Sequence, residues 1–247
     1  MMKKKIGLLG GIGPETTGEF YLTLISKYQG KGLIQTNEDF PQIVINSIPA
    51  PELLMESLAE VVLDSYLRGM RELEEWGVDF IAMICNTVHV FYDFLQKQID
   101  TPIIDLRREM RTVLSRRNVQ SMIILGTPMT IYKGLYRFEG ILCRDLGEME
   151  MKALTTAIFN FNKGYEKRRQ IHIVQEISKT YFKKCDLVVA GCSEIGLMLK
   201  NGDVPFLNPM DVLAESVVEH SLQPASRRTS FPRRRELPGS TMLMGRA

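Results

Sequence analysis

Two stretches of this chain share one pattern, KIGLLGGIGP at residues 5–14 and SMIILGTPMT at residues 121–130. Each begins with a short apolar run and closes with glycine, proline or threonine, as a buried parallel strand does where it turns into a helix. Two more pairs follow in the same order: DFIAMICNTVH (79–89) with CDLVVAGCSEIG (185–196), and TPIIDLRREM (101–110) with VPFLNPMDVL (204–213). The repeated order predicts a duplicated α/β unit.

Short runs of Ile, Val, Leu and Phe predict four strands in each half of the chain. They cover residues 5–9, 42–46, 80–84, 102–105, 121–125, 141–144, 187–190 and 204–207. Apolar residues at helical spacing predict a crossover helix over residues 51–76, and one or two helices over residues 149–184 with a break at Lys163 and Gly164.

The duplicated pattern predicts the domain organisation. We expect two pseudo-symmetric α/β domains with parallel sheets, residues 1–117 and residues 118–222, with the last helix of the first domain able to pack on the second. Ligands of open parallel sheets bind beyond the carboxyl ends of the strands, so the active site is expected in the cleft between the two domains.

Charge is distributed unevenly along the chain. The formal net charge is +2, but residues 223–247 hold six arginines and one glutamate, which leaves −3 for the rest. This segment has no helical or strand period, so it fits either a basic arm that binds nucleic acid or a disordered extension or expression remnant. We favour the extension and expect no nucleic-acid partner, because the rest of the chain has no basic, aromatic face.

The apolar runs are too short for a membrane span. The longest stretch without a charged residue is residues 118–132, which has 15 residues and includes several polar ones. A transmembrane helix needs about 20 consecutive, mostly apolar residues. We therefore expect no membrane association.

Four cysteines, Cys85, Cys143, Cys185 and Cys192, are too sparse for a disulfide scaffold, which favours a reducing cytoplasm. Cys85 and Cys192 follow the third predicted strand of each half, and each precedes a helical pattern. Helix-end N–H groups lower a cysteine pKa and can hold a carboxylate, so we expect reactive thiols at these two positions. We interpret Cys143 and Cys185 as small buried apolar residues.

Two equivalent cysteines in a shared cleft favour acid/base chemistry. One thiolate can take a proton from one face of a carbon while the opposing thiol donates a proton to the other face. The product is then the opposite enantiomer. The roles of the two thiols reverse for the mirror-image substrate.

The loop after the first strand, residues 10–17, does not fit a nucleotide site. The third glycine of a G-x-G-x-x-G motif falls at Thr16, the second strand ends without an acidic residue, and no G-K-S/T follows. The loop either admits the carboxylate of a small ligand at Gly11 or forms a purely structural tight turn.

The histidines do not form a metal motif, because His89, His172 and His220 lack the required spacing, and we expect no metal. His89 lies one helical turn after Cys85 and either influences that thiol or is a structural histidine. Glu194 either stabilises its own loop through backbone N–H groups or lies near the ammonium group of a substrate.

Four segments together resemble the aspartate/glutamate racemase family: GGIGPETT (10–17), CNTVH (85–89), GTPMT (126–130) and GCSE (191–194). They extend over nearly all of the chain before the basic segment. The resemblance implies a cofactor-independent amino-acid racemase with a small amino acid as substrate, two pseudo-symmetric domains and a homodimeric assembly.

The resemblance also assigns roles to individual residues. Cys85 and Cys192 match the paired acid/base thiols. The residues that match or border substrate contacts are Gly11, Thr17, Asn86, Thr87, Thr127, Lys163 and Ser193. Three departures from the family pattern are visible: Ser193 stands where threonine is usual, Asn208 stands where aspartate is common, and residues 48–52 lack the arginine of aspartate-specific members.

Two other functions stay open at this point. The departures fit a catalytically idle protein that binds small carboxylates, and related folds with one or two cysteines include cis/trans isomerases and decarboxylases. Two cysteines together with the GGIGP loop favour racemisation, with aspartate, glutamate or a related amino acid as the substrate.

An absence of positive charge leads to a prediction on specificity. Residues 32–67 contain no lysine or arginine, although the loop after the second strand lies in this range. Burying the side-chain carboxylate of aspartate without a paired cation costs on the order of several kcal/mol unless Lys163 or another residue compensates. We expect glutamate or a less acidic amino acid to match or exceed aspartate in kcat/KM. A preference for aspartate of roughly a thousandfold in kinetic assays would contradict this expectation.

Overall fold

Each half of the chain begins with a buried strand that becomes the inner strand of a parallel sheet. The computed structural model describes residues 4–53 and 60–223. The first sheet has the order β2-β1-β3 and consists of β1 (Ile6–Gly10), β2 (Ile43–Ser47) and β3 (Phe80–Met83). The second has the order β5-β4-β6-β7 and consists of β4 (Ser121–Leu125), β5 (Leu142–Arg144), β6 (Leu187–Ala190) and β7 (Phe206–Leu207). The predicted α/β class with two pseudo-symmetric parallel sheets is confirmed.

Helices provide the connections that parallel strands require. Those described are α1 (Pro14–Gly30), α2 (Glu60–Glu75), α3 (Tyr92–Gln96), α4 (Leu106–Arg116), α5 (Pro128–Tyr132), α6 (Glu148–Asn162), α7 (Lys167–Phe182), α8 (Ser193–Leu199) and α9 (Pro209–Leu222). Short 3-10 helices cover Asn37–Asp39 and Thr87–Phe91. None of the described helices is both long and apolar enough to cross a membrane.

Two of the predicted helical regions can be compared with these bounds. The helix predicted over residues 51–76 corresponds to α2, and residues 54–59 of it lie outside the described part of the chain. The predicted break at Lys163 and Gly164 is confirmed, because α6 ends at Asn162 and Gly164 adopts a φ of 74°. The predicted tail, residues 223–247, lies outside the described residues except for Gln223.

One predicted strand does not form. Residues 102–105 contribute only an isolated bridge between Ile103 and Ile81. The Oε1 atom of Gln96 accepts the N–H of Ile103 at 2.7 Å, and the Asp105 side chain already caps the start of α4 with a hydrogen bond of 3.0 Å. The backbone pairs with β3 only through Ile81, which bonds to Pro102 and Ile104, and after Asp105 the chain continues as α4. No ladder extends beyond this one bridge, so the prediction of a strand here is wrong.

The last helix of the second half packs on the first half. Helix α9 lies against α1 and α4, and the Tyr28 hydroxyl on α1 donates a buried hydrogen bond to Ser221 Oγ on α9 (2.5 Å). One apolar cluster contains residues of both halves, among them Ile6, Met122 and Val217. The two sheets therefore share a common core, which fixes the carboxyl ends of their strands relative to each other.

Candidate active site

Cys85 and Cys192 line one cavity of about 220 Å³. Cys85 follows β3, and Cys192 follows β6 as the N-cap residue of α8. Because β3 lies beside β1 as β6 lies beside β4, the two cysteines come from equivalent strand exits in the two halves of the chain. Gly11, Thr87 and Thr127 line the same cavity, so the structure brings together five of the predicted site residues.

The carboxylate of Glu194 connects Cys192 to the glycine-rich loop. The Cys192 thiol donates a hydrogen bond to Glu194 Oε2 at 2.8 Å, and the Ser193 hydroxyl donates to the same atom at 3.0 Å. The N–H of Gly13 donates to Glu194 Oε1 at 3.2 Å. Glu194 is only 4% exposed and lines the cavity. The backbone N–H group that it accepts belongs to the glycine-rich loop, not to its own loop as one of the two alternatives expected.

Asn86 is held so that its amide donor is left unpaired. The Tyr136 hydroxyl donates a buried hydrogen bond of 2.6 Å to Asn86 Oδ1. Asn86 is 1% exposed, and its Nδ2 has no hydrogen-bond partner among the described residues. A buried amide donor without a partner is costly, and Asn86 itself is not among the described residues that line the cavity.

Three threonine hydroxyls connect the two halves beside the cavity. The Thr87 Oγ1 atom lies 3.1 Å from that of Thr127 and 3.0 Å from that of Thr130, and Thr127 donates to Thr130 at 3.2 Å. Thr127 also caps the start of α5 by accepting the N–H of Thr130 at 3.3 Å. Thr87 and Thr127 therefore present adjacent hydroxyls to the cavity in fixed positions.

The glycine-rich loop is fixed by Thr17 and by close backbone contacts. The Thr17 hydroxyl accepts the N–H of Gly11 at 2.9 Å and donates to the carbonyl of Gly13 at 3.2 Å. Gly11 has a φ of 87°, and a Cβ atom there would lie 2.2 Å from the carbonyl oxygen of Ile48. Only glycine fits this position, so Gly11 is a structural turn that also lines the cavity.

Four predicted substrate contacts lie outside the residues that line this cavity: Thr17, Asn86, Lys163 and Ser193. Asn86 is buried beside it, with its Oδ1 held by Tyr136. Thr17 lies behind the loop, and the Ser193 hydroxyl bonds to Glu194. Lys163 ends α6 with an exposed side chain, while its neighbour Asn162 lines the cavity instead.

Some lining and supporting residues were not identified from the sequence. Asn162 and Glu52 line the cavity, and Tyr136 holds Asn86. The sequence offered a signal for two of them, because Asn162 directly precedes the predicted helix break and Glu52 belongs to the loop inspected for an arginine. Tyr136 pairs with a residue 50 positions away, and no local pattern marks it.

Burial changes the acidity of both thiols. It raises the pKa of Cys85 to about 12, although the N–H groups of Val88 and Thr87 lower it in part. Burial, followed by the negative charge of Glu194, raises the pKa of Cys192 well above its ordinary value. The expectation that helix-end N–H groups make these cysteines thiolates in the free protein is therefore wrong, because desolvation of the charged form outweighs those groups.

His89 is a structural histidine rather than a partner of Cys85. Its ring Nε2 lies 3.4 Å from the carbonyl oxygen of Met83, and burial lowers its pKa to about 4. The ring is therefore neutral near pH 7. Within the described residues, no three His, Cys, Asp or Glu side chains are arranged to hold a metal ion.

The chain has relatives among known proteins. The model of the Asp/Glu/Hydantoin racemase family matches residues 9–217. The chain belongs to this family. The broad specificity amino-acid racemase RacX of Bacillus subtilis is 24% identical over 226 residues, which cover 86% of this chain and 96% of RacX.

Solved structures share the fold. The aspartate racemase of Picrophilus torridus has a TM-score of 0.74 and 19% identity over 88% of this chain and 94% of its own. An aspartate racemase homologue from Pyrococcus horikoshii has a TM-score of 0.69 and 24% identity over 89% of this chain and 100% of its own. The predicted relation to aspartate/glutamate racemases, and with it the isomerase class, is confirmed at the level of the family.

Thiol reactivity provides a test of this electrostatic environment. In the ligand-free protein below pH 8, Cys85 and Cys192 should alkylate more slowly than the half-buried Cys143 and Cys185, because their thiolate fraction is smaller. Replacing Glu194 by Gln removes the negative charge beside Cys192, so Glu194→Gln should speed alkylation of Cys192 selectively. Peptide mapping after brief alkylation measures both effects.

The control for the charge effect is Ser193→Ala, which removes a hydrogen bond to Glu194 but leaves its carboxylate in place. This variant should not speed alkylation of Cys192 as Glu194→Gln does. Labelling of Cys85 or Cys192 ahead of the other two cysteines in the wild-type protein would contradict the raised pKa values.

Proposed function

We propose that this chain is a cofactor-independent amino-acid racemase in which Cys85 and Cys192 are the two acid/base groups. The observation that carries the proposal is that two buried cysteines, from equivalent strand exits of two pseudo-symmetric sheets, line one cavity. A single cysteine would be read as a small apolar residue, whereas a pair across a cavity can contact both faces of one carbon.

Inversion takes two proton transfers. One cysteine, as thiolate, takes the proton from the α-carbon, so that a C–H bond breaks, an S–H bond forms, and the electron pair stays on the substrate. The opposing cysteine gives its thiol proton to the other face of the same carbon. The two thiols exchange roles for the mirror-image amino acid, which makes the reaction reversible.

The main barrier is the weak acidity of the α-proton. As the proton leaves, negative charge spreads onto the substrate carboxylate, and groups that stabilise this charge lower the barrier. We infer that the unpaired Nδ2 of Asn86 and the Thr87 hydroxyl donate to that carboxylate, and that the Thr127 hydroxyl can do so if it gives up its hydrogen bond to Thr130. Tyr136 acts as a positioning residue because it holds the Asn86 amide through Oδ1.

One thiol must lose its proton before the first step. The Cys192 thiol already donates a hydrogen bond to Glu194 Oε2, so this carboxylate is the acceptor in place for that proton. The α-ammonium group of an entering substrate adds positive charge to the cavity, and a nearby positive charge lowers a thiol pKa. Substrate binding and thiol activation are coupled in this scheme.

The finer properties of the enzyme rest on the family resemblance. We infer that no cofactor takes part and that the enzyme is a cytoplasmic homodimer. For the substrate, the resemblance by itself implies aspartate, glutamate or a related amino acid. The roles of Gly11, Thr17, Lys163 and Ser193 as substrate contacts stay predictions.

Serine substitutions test the two-base assignment. Cys85→Ser and Cys192→Ser should each lose nearly all racemisation while staying folded, because a serine hydroxyl is far too weak an acid to replace a thiol. Each variant keeps one thiol, so in heavy water each should exchange the α-proton of one enantiomer only, and the two variants should act on opposite enantiomers. NMR of the α-proton and chiral chromatography measure exchange and inversion separately.

The control is Cys143→Ser, which removes a cysteine outside the cavity lining and should racemise at the wild-type rate. Wild-type racemisation rates in both single variants of the cavity cysteines would rule out the two-base assignment. A wild-type protein that binds amino acids but never incorporates deuterium at the α-carbon would instead be the idle binding protein.

A further inference from the structure

The described side chains that line the cavity include carboxylates but no cationic group. Its lining includes two carboxylates, Glu52 and Glu194, and none of the lining residues in the described part of the chain is a lysine, arginine or histidine. Glu194 accepts three hydrogen bonds, whereas no hydrogen bond or ion pair joins Glu52 to another described residue. Glu52 is thus the carboxylate available to a ligand.

Neighbouring contacts hold Glu52 at the cavity. The buried Tyr66 hydroxyl on α2 donates to the carbonyl of Pro51 at 2.8 Å, and the N–H of Ile48 donates to the carbonyl of Gly10 at 3.1 Å. Leu53 is buried in the same apolar cluster as Cys85. Burial raises the pKa of Tyr66, and the charges of Cys85 and Glu52 add to that shift, as expected if both lie near its hydroxyl.

The cavity lining also includes an apolar set of side chains, called here the apolar wall. The side chains that form it are Ile12, Ala50, Leu53, Ile158 and Phe159. Such a wall can pack against a methylene chain, while the exposed carboxylate of Glu52 can meet a charged end group that keeps contact with water.

We propose that Glu52 is a specificity-determining residue and that the enzyme prefers amino acids with a cationic side chain, of which lysine and ornithine are examples. This inference rests on the proposed racemase function. The methylene chain of such a substrate packs on the apolar wall, and its terminal ammonium pairs with the Glu52 carboxylate. Aspartate and glutamate would bring a second negative charge to a cavity without a cationic partner, which disfavours them.

The test compares substrates that differ only in the end group. The kcat/KM values for L-lysine, L-norleucine and L-glutamate are measured with the full chain by chiral chromatography. We expect kcat/KM for lysine to exceed that for norleucine, its neutral counterpart, by about fivefold, which is the effect of a partly screened ion pair. Glutamate should have the lowest kcat/KM of the three.

Charge substitutions at position 52 connect the preference to this residue. Glu52→Gln should remove the advantage of lysine over norleucine, mainly through KM, and Glu52→Lys should raise kcat/KM for glutamate relative to lysine. Glu38→Gln, which changes an exposed glutamate outside the cavity lining, is the matched control and should leave the lysine-to-norleucine ratio unchanged. If Glu52 had only a structural role, Glu52→Gln would lower kcat/KM for all three substrates alike.

The outcomes separate this inference from the proposed function. Racemisation with no lysine advantage, or an advantage that persists in Glu52→Gln, overturns the role of Glu52 and leaves the racemase standing. If no amino acid exchanges its α-proton, the racemase proposal fails. The role of Glu52 is then tested by measuring amino-acid binding by calorimetry. Lysine binding that weakens in Glu52→Gln still supports the cationic ligand class, and equal binding of lysine and norleucine overturns it.

Discussion

The buried carboxylate of Glu194 is the interaction on which the arrangement of the cavity depends. A carboxyl group with 4% exposure needs hydrogen-bond partners, and the Cys192 thiol, the Ser193 hydroxyl and the Gly13 N–H supply three. Gly13 lies 181 positions earlier in the chain, so this one side chain ties the first loop of the first half to the third strand exit of the second. A Cβ atom on Gly13 would lie 2.7 Å from Glu194 Oε1, so a larger residue there would displace this carboxylate.

The Glu194 carboxylate also affects the acidity of the Cys192 thiol. Its charge, added to burial, keeps the Cys192 thiol protonated, as burial keeps Cys85 protonated. A resting site with two neutral thiols resists oxidation and alkylation, since thiolates are the reactive form. In the proposed mechanism, positive charge from a bound amino acid then shifts the balance toward thiolate when the α-carbon is in place.

Local sequence patterns predicted the fold well because parallel strands and their exits are local features. The strands at residues 121–125 and 187–190 match β4 and β6 exactly in their bounds. The strand predicted at residues 102–105 was wrong because this segment pairs with β3 at a single bridge before the Asp105 cap starts α4. An apolar run does not show how many backbone pairs it will form.

Only those features of the site that depend on local sequence could be predicted. The positions of Cys85 and Cys192 could be recognised because each follows a predicted strand. Their pKa values depend on burial in the packed fold, which no local pattern encodes. The pairing of Tyr136 with Asn86 arises from the packed fold. Lys163 shows the limit of a one-residue motif. The helix ends where the sequence predicted, but the Lys163 side chain is exposed to solvent.

The isotope content of the first product molecules tests the two-thiol account most directly. In heavy water both thiols carry deuterium, so a two-base enzyme that starts from one unlabelled enantiomer delivers solvent deuterium to the opposite face of the α-carbon. At early times the account predicts product that is fully deuterated at the α-carbon and remaining substrate that still carries its original proton. Product that retains the substrate's own α-proton would show that one group removes and returns it, and would contradict the account.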